Sequence, residues 1–373
     1  MQTLDLHAHF PMHLSLPILP DESEASDEWE SVLFHTVSLF FNNRWGRFRV
    51  TVESVRRGGL AALGSVLYNP VDEFQLGHSA PEAAYPHLLQ QMEEVEHAVQ
   101  DNYGLQLARN PRELESCLIK EQPVLFHCME GAIGLGGDAA HVQELARRGV
   151  AYIIVAHLFF KGAATCSNAI PFLTDREFAA INAQPSGLGL TKHGEDVVAC
   201  ALQEGVIVDV THCTDKAVDD IFRIHDSCGE YKDRPIISSH NGVRGISNHP
   251  LNLSDKNIER ICQTGGIIGV IFYPHWLLPP NTLEWFHDHI NVVFKAVDYI
   301  HDRIGSYDHI AIGSDLDGFI APVHELQTMS DVPRVEDAFT HRYGTQVAEL
   351  ILRDNALRVL KNGWRGADIA QLP

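Results

Sequence analysis

Near its start the chain runs Thr3-Leu4-Asp5-Leu6-His7-Ala8-His9, an apolar stretch ending in two histidines one residue apart. In an extended strand, side chains two positions apart leave the same face, so both imidazoles can turn toward one point. One such pair means little in a chain with 22 histidines. It gains weight because the arrangement recurs. Strand-like runs at 123–130, 151–158, 206–212 and 235–240 carry Glu130, His157, His212 and His240 at or beside their ends, and the run 309–313 leads into Asp315. Metal-competent groups at the ends of successive strands converge only if the strands are parallel and joined by helices, which points to an α/β barrel.

The rest of the chain fills in that plan. The buried run 58–68, closed by Asn69-Pro70, reads as the second strand, and 266–273 as the seventh. Helical periodicity separates the strands at 86–100, 138–148, 192–203, 215–225, 254–263 and 284–304. Eight strands alternating with helices give a (β/α)8 TIM barrel, expected as one domain over 1–373. An inserted segment is expected at about 14–57 and a helical tail at about 335–373, its helix at 341–360 lying across the barrel. Within the insertion, the acidic run 21–28 reads as a solvated loop, with a lid as the alternative, and the aromatic-rich 33–49 as a packed helical excursion. The glycines at 131, 134, 136 and 137 read as a structural turn, because no Gly-Lys-Ser/Thr follows that would mark a phosphate loop.

Composition excludes several classes of function. With 28 basic against 49 acidic residues the formal charge is −21, and no basic cluster follows a phosphate backbone. Nucleic acid and anionic membrane surfaces are therefore not expected partners. The seven cysteines are scattered, without a Cys-x-x-Cys pair, which argues against both a disulfide framework and a thiolate zinc site. No apolar run approaches the roughly 18 residues that span a bilayer, and no leader is apparent, so the expected location is cytoplasmic.

Taken together, His7, His9, Glu130, His212 and His240 have the nitrogen-and-oxygen composition of a zinc site. A carboxylate has two oxygens, so Glu130 can bridge two ions that share one hydroxide, the arrangement needed to hydrolyse an amide or ester. Asp315 suits the general acid/base beside that water, which makes Asp315 and Glu130 the candidate catalytic residues.

With these residues stand Met129-Glu130-Gly131, Gly189-Leu190-Thr191-Lys192-His193-Gly194, Asp209-Val210-Thr211-His212, Ser239-His240-Asn241, His249-Pro250-Leu251-Asn252-Leu253-Ser254-Asp255 and Gly313-Ser314-Asp315-Leu316-Asp317-Gly318. In these motifs, in their order, and in the tail motif Asn355-Ala356-Leu357-Arg358-Val359, the chain resembles the membrane dipeptidase (renal dipeptidase) family of amidohydrolase-type barrels. The resemblance implies two Zn2+ or other divalent ions per chain. Glu130 would bridge them, His212 and His240 would complete one site, and His7 with position 9 would hold the other. It also implies that His157 contacts the scissile carbonyl, that Asp315 is the catalytic aspartate, and that the protein is a homodimer.

Three departures stand out. His9 replaces the aspartate of the family's His-x-Asp, which lowers the site's negative charge. Val155-Ala156-His157-Leu158 replaces the family's Leu-Thr-His-Asn. Leu251 replaces the arginine that, in the family, pairs with the terminal carboxylate of the dipeptide, and leucine cannot imitate a bidentate cation. Arg244, seven residues earlier, is the candidate substitute; with His157, Leu251 and Tyr273 it makes up the expected substrate contacts. The expected function is therefore a dinuclear-zinc hydrolase of dipeptides acting through a metal-bound hydroxide. The alternatives are a hydrolase of another small amide, lactam or ester without a free carboxylate, and a non-catalytic metal-binding protein.

Overall fold

The computed structural model describes residues 1–15, 48–75, 77, 79–102, 104–170, 173–279 and 289–366. Nine strands form one parallel sheet: β1 Leu4–Ala8, β2 Ala62–Leu67, β3 Gln106–Ala108, β4 Val124–Glu130, β5 Tyr152–Ile154, β6 Ile207–Asp209, β7 Ile236–Asn241, β8 Ile268–Val270 and β9 Ile310–Ile312. Eight of them follow the order β1-β2-β4-β5-β6-β7-β8-β9. The ring is drawn nearly shut where β9 leads back to β1, through the parallel bridge Ala8↔Leu316 and the bonds Asp315 N to His7 O and His9 N to Leu316 O, each 2.9 Å. This is the eight-stranded barrel expected from the alternation of apolar runs with amphipathic helices.

β3 was not foreseen. Among the described residues it pairs only with β4, through Val124, Leu125 and Phe126, while β5 takes over at Met129 and Glu130. Its three residues are too few to leave a periodic signal. The second strand also starts later than expected. Gly58 ends the helix Val52–Gly58, and Gly59, at φ 64°, caps it in the left-handed region that glycine adopts without penalty. The acidic run 21–28, and 33–47 of the aromatic run, lie outside the described residues.

The tail is helical but broken. The helix Val332–Tyr343 stops at Gly344, and a wide π turn at Leu350–Asp354 joins the helices Thr345–Glu349 and Asn355–Gly363. Asn355 Nδ2 donates to the carbonyls of Tyr307 and Ile310 at 2.7 and 2.8 Å, and Trp364 packs on Phe126 with ring centroids 6.1 Å apart. The tail thus covers the N-terminal end of the barrel and leaves the C-terminal strand ends, where barrels build their sites, to the polar residues. Among the described residues, no helix is long and apolar enough to cross a membrane.

Candidate metal centre

The sheet is irregular where the histidines sit. The register slips between Asp5 and Ala8 on β1 and between Ser238 and Asn241 on β7, bulges of the kind that re-aim side chains beside a site. They bring the His7 and His240 rings to 3.9 Å between centroids. Behind them, Asp5 accepts from the amides of His7 and Ser314 at 3.1 and 2.9 Å, and Asp209 accepts from those of Thr211 and Ser239 at 2.8 and 3.1 Å. Burial pushes both carboxyls up to about 6. Two cluster residues, His212 at φ 66° and Asp315 at φ 58°, occupy the left-handed region, which is uncommon for residues with a side chain and concentrates at functional sites.

Glu130 is the centre of the arrangement. It is 1 % exposed. Its Oε1 faces Nε2 of His7 and of His212 at 3.4 Å and of His240 at 3.6 Å, while Oε2 faces Nε2 of His9 at 3.3 Å and of His157 at 3.4 Å. Asp315 Oδ1 lies 3.2 Å from His9 Nε2 and 3.9 Å from His7 Nε2. Three groups of ligand atoms fall within 4.8 Å of one another: His7, His9 and Glu130; His7, His240 and Asp315; Glu130, His157 and His212. The candidate ligands His7, His9, Glu130, His212 and His240 are therefore assembled, with His157 and Asp315 among them.

The atoms fit a metal better than they fit one another. Tyr152 donates its hydroxyl proton to the Leu6 carbonyl at 2.9 Å, so at 2.8 Å it must accept from His7 Nδ1. The His7 proton is thereby fixed on Nδ1, and a bare lone pair on Nε2 confronts the Glu130 carboxylate. Among the described residues neither that nitrogen nor either Glu130 oxygen has a hydrogen-bond partner, although all are buried. Leaving such groups unpaired costs about 1–3 kcal/mol each. A cation between the lone pairs reverses the sign of the interaction. Zinc–nitrogen bonds of about 2.0–2.1 Å in tetrahedral geometry put two nitrogens roughly 3.3 Å apart, and the Nε2 atoms of His212 and His240 are 3.2 Å apart.

The electrostatics agree with that fit. Burial lowers His212 to about 4, and holds His240 well below and His9 below the ordinary imidazole value, so these rings offer lone pairs. Burial alone would raise Glu130, but the charge of the neighbouring histidines, His157 first, outweighs it and holds the carboxyl well below its usual range. Burial pushes Asp315 well above that range. Burial opposes protonation of His157, yet Glu130 and Glu73 overcome it and raise the imidazole to about 9.

Of the expected substrate contacts, Tyr273 and Leu251 are buried at the same end of the barrel. Tyr273 packs edge-on to Trp276 at 5.7 Å, and Trp276 in turn lies parallel to His240 at 6.3 Å. Arg244 is not turned to the cluster. Its guanidinium donates to both oxygens of Asp215 at 2.7 and 3.2 Å and to the carbonyls of Pro250 and Asn252 at 2.8 and 3.1 Å. Asp215, the first residue of the helix Asp215–Ser227, was read only as a helix start. Sequence reasoning also missed Tyr152, Asp5 and Glu73, none of which ends a strand in a recognisable pattern. Gly318 belongs to the expected motif, but only the structure shows its reason: a Cβ there would lie 1.8 Å from Asp315 Oδ1 and 2.8 Å from His9 Nε2.

Comparison with known proteins agrees with this geometry. Residues 4–367 match the sequence profile described as Membrane dipeptidase (Peptidase family M19). The chain belongs to the membrane dipeptidase family. That is a family of dipeptidase-type metallohydrolases, as the resemblance of the motifs implied. Dipeptidase tcpJ of Claviceps purpurea is 30% identical over 62% of this chain and 49% of its own length. The chain thus spans about half the length of the curated fungal dipeptidases it matches. Two solved structures share the fold. One is described as the dipeptidase AC, a metallopeptidase of family M19, with a TM-score of 0.76 and 20% identity over 98% of this chain and 99% of that one. The other is a metallopeptidase of Rhodobacter sphaeroides liganded with a phosphinate mimic of the dipeptide L-Ala-D-Ala, with a TM-score of 0.74 and 19% identity over 98% and 99%.

Proposed function

We propose that this protein is a dinuclear metallohydrolase, zinc-dependent in the first instance, that cleaves a small amide of the dipeptide class. The observation that carries the reading is Glu130: a buried carboxylate without a hydrogen-bond partner among the described residues, facing the Nε2 atoms of five imidazoles at 3.3–3.6 Å. His212 and His240 with Glu130 would hold one ion, and His7 and His9 with Glu130 the other. Bound there, the ions would lower the pKa of a shared water and polarise the substrate carbonyl. Asp315, within 3.2 Å of His9 Nε2, is placed to take and return a proton beside that water. His157 points Nε2 into the cluster and is placed to donate to the carbonyl oxygen as charge develops on it.

The substrate class rests on the family and on the dipeptide mimic held by the Rhodobacter neighbour. A second reading has its own support. Leu251 stands where the family arginine would be, and Arg244 is engaged by Asp215, which favours substrates with no free carboxylate at that position. One experiment tests both. Metal content is measured on purified protein, and hydrolysis is followed for free dipeptides and for the same compounds blocked at the C-terminus, before and after chelation. We expect about two ions per chain and chelator-sensitive cleavage. Cleavage confined to the blocked compounds selects the second reading, and a metal-loaded protein that cleaves neither set refutes the hydrolytic proposal.

A further inference from the structure

We propose that Glu73 is the positioning residue for His157, anchoring the ring by its Nδ1–H so that Nε2–H, carried by the doubly protonated ring, is aimed at the reacting carbonyl. The inference rests on the hydrolytic reading above and goes beyond it, since no part of the family resemblance places a carboxylate here. Glu73 reaches the cluster from the helix Pro70–Phe74, which follows β2, begins at a proline and is capped by Asn69. It is 1 % exposed. Its Oε2 accepts from His157 Nδ1 at 2.5 Å, and its Oε1 accepts from the Phe159 amide at 2.9 Å. An ionised carboxylate only accepts, so the proton between Glu73 and His157 resides on Nδ1. The ring's other nitrogen then faces the cluster, 3.4 Å from Glu130 Oε2.

The surroundings hold this pair in one geometry. Tyr68 packs edge-on to the His157 ring at 4.5 Å. Lys161, four residues beyond His157, donates Nζ to the carbonyls of Gln75 and Gly77 at 2.6 and 3.0 Å. The loop after β2 and the loop after β5 are thus joined at four points, and Glu73, Gly131, His157 and Lys161 line one cavity beside the cluster. A buried carboxylate behind a functional histidine orients the ring and raises its basicity, and its removal typically lowers activity about 10–100-fold.

A merely space-filling Glu73 would be replaceable by glutamine, which keeps its shape; its single carbonyl oxygen accepts from only one of the Phe159 amide and Nδ1–H, and its amide NH2 faces the other. The test compares wild type, Glu73→Gln and His157→Gln, all zinc-loaded to equal metal content, on the substrate that wild type cleaves best. We expect Glu73→Gln to lower kcat about 10–100-fold with KM within about threefold. The second readout is the imidazole Nδ1–H signal of histidine-labelled protein by NMR. It should be strongly deshielded in wild type, move upfield in Glu73→Gln and vanish in His157→Gln. An unchanged kcat, or a signal unmoved in Glu73→Gln, overturns the assignment. Should that variant not fold, absence of the deshielded His157 signal in wild type overturns it as well, and its presence supports it. Wild-type protein that cleaves nothing refutes the hydrolytic reading, while the NMR comparison still decides the role of Glu73.

Discussion

Replacing Gly318 with alanine adds one carbon atom where the site has no room. That carbon would lie 1.8 Å from Asp315 Oδ1 and 2.8 Å from His9 Nε2. Carbon and oxygen ordinarily approach to about 3.3 Å, so the Asp315 carboxylate must move by roughly 1.5 Å. It cannot do so in place. The Asp315 amide is tied to the His7 carbonyl at 2.9 Å, its carbonyl accepts from the Gly318 amide at 3.0 Å, and its backbone is already left-handed. The side chain must therefore swing away from His9, which it now meets at 3.2 Å. A displacement of about 1 Å in a reacting group costs on the order of 100-fold in rate, and overpacking costs about 1–3 kcal/mol of stability. We expect Gly318→Ala to fold, to lose a few degrees in Tm, and to lose at least about 100-fold in kcat when metal-loaded. The control is Gly229→Ala, where a Cβ would meet nothing within 4 Å and both quantities should stay put. A Gly318→Ala enzyme within about threefold of wild type would show that the position of the Asp315 carboxylate does not matter to turnover, and the role assigned to it would be withdrawn.

Other perturbations address separate parts of the reasoning. Asp315→Asn should retain metal and lower kcat by about 100-fold or more, as expected for a general acid/base; retained turnover with retained metal would show that proton transfer lies elsewhere. Leu251→Arg restores the family's cation. If the free dipeptide carboxylate then gains about 2–3 kcal/mol of charge-assisted bonding, the preference for free over blocked dipeptides rises roughly 30- to 150-fold; an unchanged ratio in folded protein would mean that position 251 does not face that carboxylate. His127 is fully buried, and burial, followed by the charges of Arg109 and Arg148, lowers it to about 3. Its folded-state value lies below the unfolded value near 6.5, so its contribution to stability is complete above pH 6.5 and is lost as pH falls toward 3, at about 1.4 kcal/mol per unit. His127→Leu should therefore gain stability relative to wild type between pH 6.5 and 5 in denaturant titrations, and parallel pH profiles would contradict the account.

Strand ends were the legible part of this molecule. A barrel forces side chains at the C-terminal ends of parallel strands into a single ring, so His7, Glu130, His212 and His240 could be gathered from spacing and order alone. Glu73 could not. It is one glutamate in a five-residue helix, and its partner lies 84 residues away on a loop whose path depends on the whole barrel. Arg244 is the opposite case. Nearness in sequence to Leu251 suggested a substitute cation, but Asp215, delivered by the preceding strand's connection, binds both terminal nitrogens of its guanidinium. Short elements such as β3 escape for a related reason, because three residues paired to one neighbour need no alternation of their own.

The change of partner along β4 divides the barrel wall into two unequal regions. Up to Phe126 the strand is flanked by β3, and beyond it the amide of Ala151 bonds to the His127 carbonyl and β5 closes in toward Glu130. The wall is therefore a fork. Its prongs are spread on the side covered by the tail and joined on the side that carries the cluster. Opening fluctuations should start in the spread prongs, where β3 is a short strand that, among the described residues, is bonded on one side only, and should die out before the join. Amides of β3 should exchange with solvent deuterium well ahead of those of Ile153 and Ile154. A barrel wall of this kind can breathe at its floor while the atoms around Glu130 keep their distances.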